Sequence, residues 1–162
     1  MAHALRSEDL AFLDTAPARQ VHVAELDLPD HRVFDELAGH PENWANWFRS
    51  VVRGCHYEGG PPYDVGAVRR ITLRGGISAR EIVLAREPNR HFAYRIDEIS
   101  LPGVRAFMEE WVVESTNDGR TKVRWVLAAD MSKPMELLFQ ANRASIQRVY
   151  SRALKRMESV AG

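Results

Sequence analysis

Between residues 51 and 130, apolar and polar positions alternate in short runs, with breaks rich in Gly, Pro or Asn between them. A period of two marks a strand with one buried face. The runs are "VVRGCHYE" at 51–58, "AVRRITL" at 67–73, "SAREIVLA" at 78–85, "HFAYRIDEI" at 91–99, "VRAFMEEWVVE" at 104–114 and "KVRWVLAAD" at 122–130. Gly75-Gly76 and Asn117-Asp118-Gly119 predict hairpin turns, Glu87-Pro88-Asn89 another turn, and "GGPPYDVG" a loop. Short strands joined by tight turns predict an antiparallel meander rather than βαβ units.

The flanks read differently. Ser7 with Glu8 and Asp9 predicts a short helix closed by Pro17, on an arm of residues 1–19 resting against a single domain of residues 20–162. "QVHVAELDL" is a strand carrying Val21, Val23 and Leu26. Pro29-Asp30 opens a helix that Gly39 ends, and Pro41 starts a second one. After Lys133-Pro134 one helix runs to the end, with Phe139, Ile146, Val149, Ala153 and Met157 as its apolar stripe. Ala141, Asn142, Ala144 and Ser145 in that helix are small or polar, which predicts open volume beneath them.

Which side chains face inward follows from parity. Val123, Trp125 and Leu127 share one face of their strand, as do Phe92, Tyr94 and Ile96 of theirs. "AREIVLA" is balanced: either Glu81 or the pair Ile82 and Leu84 takes the interior. Trp44, Trp47 and Phe48 fall on one helical face and bury together, as plain core or as the wall of a chamber.

Composition narrows the function classes. Twenty-two basic residues balance twenty-two acidic ones, so no net field draws the chain to nucleic acid. The early acids and the lack of an apolar run at the N-terminus predict no signal peptide, no membrane insertion and a cytoplasmic location. The six histidines and the single Cys55 show no metal-ligand spacing, so no metal is expected. Cys55 reads as a small buried residue, because His56 points to the opposite face of its strand. GxSxG, P-loop and GxGxxG motifs are absent, leaving no support for hydrolase, nucleotide or nicotinamide chemistry and no cofactor.

The motifs "W..W" at 44 and 47, "VGAVRRITL", "REIVL", "FAYRI", "LPGVRAFMEEWVVE" and "GRTKVRWVLAAD", followed by the terminal helix, resemble in this order the START-like superfamily. Within it the chain is similar to the polyketide cyclase/dehydrase and lipid-transport (SRPBCC) group. The resemblance implies an α+β helix-grip fold: a curved antiparallel sheet of roughly six to seven strands wrapped around a long C-terminal helix, with two short helices after the first strand. It implies a pocket bearing Arg53, Glu81, Tyr94, Phe107, Glu109, Trp125 and Ser145, with Arg70 and Thr72 on one inner face and Phe107 and Trp111 on another. Trp44, Trp47, Phe48 and Ala141 complete the set of expected ligand contacts.

The expected function is binding of a small hydrophobic or amphipathic molecule, of lipid, polyketide or isoprenoid type, by a monomer or homodimer. One alternative is a polyketide aromatase/cyclase or dehydratase, with Arg53 or Arg70 polarising a ketone and Glu81 or Tyr94 moving the proton. The other is an interaction module without a ligand.

Overall fold

The computed structural model describes all 162 residues. Its strands are β1 (His3–Ala4), β2 (Ala18–Leu26), β3 (Val52–Tyr57), β4 (Val68–Leu73), β5 (Ser78–Glu87), β6 (His91–Ile99), β7 (Val104–Ser115) and β8 (Thr121–Met131). Its helices are α1 (Phe12–Thr15), α2 (Asp30–Phe34), α3 (Trp44–Trp47), α4 (Lys133–Ala141) and α5 (Arg143–Ala161). All strands join one antiparallel sheet, in the order β2-β8-β7-β6-β5-β4-β3, with β1 added against β6. The C-terminal helices cover its concave face, which is the helix-grip arrangement. Gly75 and Gly76 both take positive φ, 86° and 79°, as a tight hairpin between β4 and β5 requires.

The N-terminal arm differs from its prediction. No helix starts at Ser7. β6 and β7 pair from His91↔Val112 to Ile96↔Phe107 and then part. Residues 3–6 fill that gap: β1 pairs with β6, while the amides of Leu5 and Arg6 donate to the carbonyls of Asp97 and Arg105 at 2.7 and 2.8 Å. The chain then crosses to the convex face, where α1 buries Phe12 and Leu13 against Ala106, Met108, Val126 and Ala128. Asp9 starts that turn, its carboxylate accepting from the Ala11 amide at 2.9 Å.

This covering explains two parities. Val21 and Leu84 point to the convex side and pack around that small cluster. On β2 the inward residues are therefore Ala18, Gln20, His22 and Leu26, and Val23 is exposed. On β5 the balanced strand turns Ala79, Glu81 and Val83 inward.

The helix after α2 widens into a π-turn over Asp35–Gly39, followed by a 3₁₀ turn over Pro41–Asn43 that leads into α3. The predicted single C-terminal helix is two. Asn142 breaks it with φ −92° and ψ 8°, and its side-chain amide donates to the Leu138 carbonyl at 2.8 Å. Asparagine competes with the helix for backbone partners, which favours a break there. Ala153, Leu154 and Met157 of α5 are buried, whereas α4 buries no residue fully.

Candidate functional site

The charges inside the concave face come from β4 and β5. Arg69 shares a face with Ile71 and Leu73, and Glu81 stands opposite it in the ladder. The Arg69 guanidinium is fully buried. Its Nε and Nη2 lie 2.9 and 2.8 Å from Glu81 Oε2, and Nη1 donates to the Leu37 carbonyl at 3.2 Å. That carbonyl is spare because the residue four positions on is Pro41, which has no N–H. Trp44 Nε1 donates to the same oxygen at 3.2 Å. Arg69 also sits 4.6 Å from the ring centre of Trp44 and 4.4 Å from that of Tyr94. Ring faces and one carboxylate thus hold a cation away from water.

Glu109 of β7 lies beside Tyr94 of β6. Its Oε2 accepts from the Tyr94 hydroxyl and from Trp125 Nε1, each at 2.7 Å. Burial raises the Glu109 carboxyl to about 7, the Tyr94 bond opposes this, and the charge of Glu81 adds to it. Burial also lifts the Tyr94 hydroxyl well above its ordinary range, so it remains a proton donor.

These groups meet at a cavity of 380 Å³ between the sheet and the C-terminal helices. Of its 23 lining residues 20 are hydrophobic, and Glu81, Glu109 and Asn142 are the exceptions. Trp44, Glu81 and Tyr94 are buried, while Leu138, 58% exposed, marks the outer edge with Asn142.

Six residues singled out from the sequence line this space: Trp44, Phe48, Glu81, Tyr94, Phe107 and Glu109. Trp47, Trp111 and Trp125 do not, because they fill the core behind it. Trp111 stacks on Trp125 at 3.6 Å, Trp125 on Tyr150 at 3.7 Å, and Trp47 on Phe48 at 5.6 Å. The aromatic group is therefore both core and wall, divided residue by residue.

Four expected contacts are corrected. Strict alternation back from Cys55 would turn Arg53 inward, but the register shifts between Val52 and Gly54, and this bulge sends Arg53 to solvent. Arg70 is on the outer face, paired with Glu58 at 2.5 Å, and Thr72 is outside with it. Ala141 and Ser145 are exposed, because the face that lines the cavity runs through Leu138, Asn142, Ile146 and Tyr150, four residues apart, and leaves them outside it. The sequence reading missed Arg69, although Ile71 and Leu73 at alternate positions mark its face as the apolar one. Cys55 is buried as expected, and that burial pushes its thiol up to about 12.

Exchanging Arg70 for Ala should leave stability essentially unchanged, as for an exposed ion pair screened by solvent. Urea unfolding measures this. A clear drop in the unfolding midpoint would mean that Arg70, rather than Arg69, holds the interior together.

Known proteins share this build. XoxI from Bacillus cereus superposes with a TM-score of 0.67 at 17% identity, over 88% of this chain and 94% of that one. Major latex-like protein 151 from Panax ginseng gives a TM-score of 0.61 at 16% identity, over 83% of this chain and 97% of its own. These likenesses are of fold. An uncharacterized protein of Mycobacterium tuberculosis is 29% identical over 125 residues, 77% of this chain and 73% of the relative. Residues 18–162, from the start of β2 through both C-terminal helices, match the family described as polyketide cyclase / dehydrase and lipid transport, and the chain belongs to that family.

Proposed function

We propose that the chain binds and carries a small amphipathic molecule, of lipid, polyketide or isoprenoid type, in this cavity. The observation that carries the reading is the cavity itself, 380 Å³ of mostly apolar wall that reaches the buried Glu81 and the half-buried Glu109. Small-molecule pockets span roughly 300 to 1,000 Å³, so the chamber suits a compact ligand. The tryptophans leave this space unfilled, which counts against a module without a ligand.

The second reading, a cyclase/aromatase or dehydratase, draws on Glu109. A carboxyl near 7 beside a tyrosine hydroxyl is suited to acid–base work. That reaction also needs a group to polarise the ketone. Arg53 and Arg70 face solvent, and Arg69 is turned to Glu81 and the Leu37 carbonyl. Binding is accordingly preferred over catalysis.

Native mass spectrometry of protein purified from its own host should show a bound small molecule. In parallel, the polyene dye diphenylhexatriene should fluoresce on entering the cavity. Ala79→Phe places a ring in that space and should weaken the dye at least tenfold, about 1.4 kcal/mol, without altering the far-UV circular dichroism. Equal dye affinity in a folded Ala79→Phe variant would rule the cavity out as the site.

A further inference from the structure

The polar atoms that the cavity offers are nearly all acceptors. Arg69 occupies Glu81 Oε2, and Tyr94 with Trp125 occupies Glu109 Oε2. Asn142 spends its Nδ2 on the Leu138 carbonyl. Each leaves one oxygen without a protein donor: Oε1 of Glu81, Oε1 of Glu109 and Oδ1 of Asn142. None of the three is sealed off: none is among the wholly buried polar atoms without hydrogen-bond partners, which include Arg69 Nη2 beside Glu81 and the indole nitrogens of Trp47 and Trp111 in the core. The donors on the lining are committed: Tyr94 gives its own to Glu109 and Trp44 gives its own to Leu37. Behind the lining, Trp125 donates to Glu109, while Arg69 donates from Nε to Glu81 and from Nη1 to Leu37, and its Nη2 stays in ionic contact with the same Glu81 oxygen at 2.8 Å. The Tyr150 hydroxyl, also on the lining, can act either way.

Charge points in the same direction. Arg69 neutralises Glu81, but no cation neutralises Glu109. The groups that face Glu109 are Tyr94 on β6, Glu81 on β5, Arg69 on β4, Trp125 on β8 and Tyr150 on α5. A ligand carboxylate would bring a third negative group into a space poor in water, whereas a donor would meet oxygens that lack one.

We propose that this cavity selects ligands whose polar end is a hydrogen-bond donor, a hydroxyl or a protonated amine, and turns carboxylates away. The proposal rests on the reading of the cavity as a ligand chamber. Hydroxyl and ammonium share the donor chemistry, and the ammonium adds the charge that Glu109 lacks.

The test is displacement of diphenylhexatriene from the full chain by decanol, decylamine and decanoate, which differ only at the polar end. At about pH 8.5, where a carboxyl near 7 is ionised, decanol and decylamine should displace the dye at concentrations at least tenfold below decanoate. A lead of decylamine over decanol identifies the charge as the deciding feature, and equality identifies the donor. Glu109→Gln should shrink the gap between decylamine and decanoate about tenfold or more. Should that variant fold poorly, lowering the wild type to about pH 5.5 protonates Glu109 and should narrow the same gap. Decanoate matching decylamine in a protein that binds the dye would overturn the donor rule and leave the chamber standing. A protein that binds neither the dye nor any of the three ligands overturns the chamber reading, and the selectivity with it.

Discussion

Replacing Arg69 with Met should cost about 3–5 kcal/mol of stability, because it leaves Glu81 charged and buried without its partner. In a chain of this length that loss lowers the melting temperature by about 10 °C or more. The double change Arg69→Met with Glu81→Gln removes both charges and should recover most of the loss. Met keeps much of the packing that the arginine makes between Trp44 and Tyr94. The four proteins of this cycle, unfolded in urea at one pH, give the coupling directly. A double variant no more stable than Arg69→Met alone would show that the rings around the guanidinium, and not the ion pair, account for the loss.

Glu109→Gln should act in the opposite direction and stabilise the protein at about pH 8 by up to about 3 kcal/mol. The native carboxyl titrates near 7 and its unfolded counterpart near 4.5, so the native state holds more protons between those values. Stability from this group is complete below 4.5 and is lost as pH rises through 7. Glutamine still accepts from Tyr94 and Trp125 but carries no charge, so the variant's advantage should appear across that window and vanish at its acid end. His22 has the reverse slope: burial lowers its imidazole pKa, the unfolded chain takes up the proton first, and stability falls as pH drops below its ordinary 6.5. The two slopes oppose each other below pH 6.5, so the wild type shows only their difference there, and Glu109→Gln should uncover the His22 slope as stability rising toward pH 6.5. A variant with the pH dependence of the wild type would assign the loss between pH 4.5 and 7 to another group.

The order of elements was legible in the sequence because turn residues and apolar periods are local. The faces were legible only where a strand's two sides differ sharply. Trp125 and Tyr94 were read inward because apolar residues flank them at every second position. Arg53 failed because a bulge adds one residue to β3 and reverses the parity on one side of it. Arg70 was taken for Arg69 because the motif match gave the inner face to the wrong member of an adjacent arginine pair. On β2 the valines give no guide to the inner face: Val21 packs on the arm and Val23 meets solvent, while Gln20 and His22 turn inward. The break falls at Asn142, on the outer edge of the cavity, and one asparagine among helix formers gives only a slight local preference for it. Fold was therefore read from local signals, while the site depended on registers set by partners far along the chain.

The N-terminal arm touches both faces of the colloidal behaviour of this molecule. With a net charge of zero at pH 7, the chain has no overall repulsion to hold copies apart. A shortened chain starting at β2 would bare the greasy patch under Phe12 and Leu13 and, between β6 and β7, the open backbone that residues 3–6 now occupy. The first recruits another molecule by contact area and the second by strand addition. Those few residues act as the molecule's own chaperone, occupying the two surfaces on which a neighbour could dock.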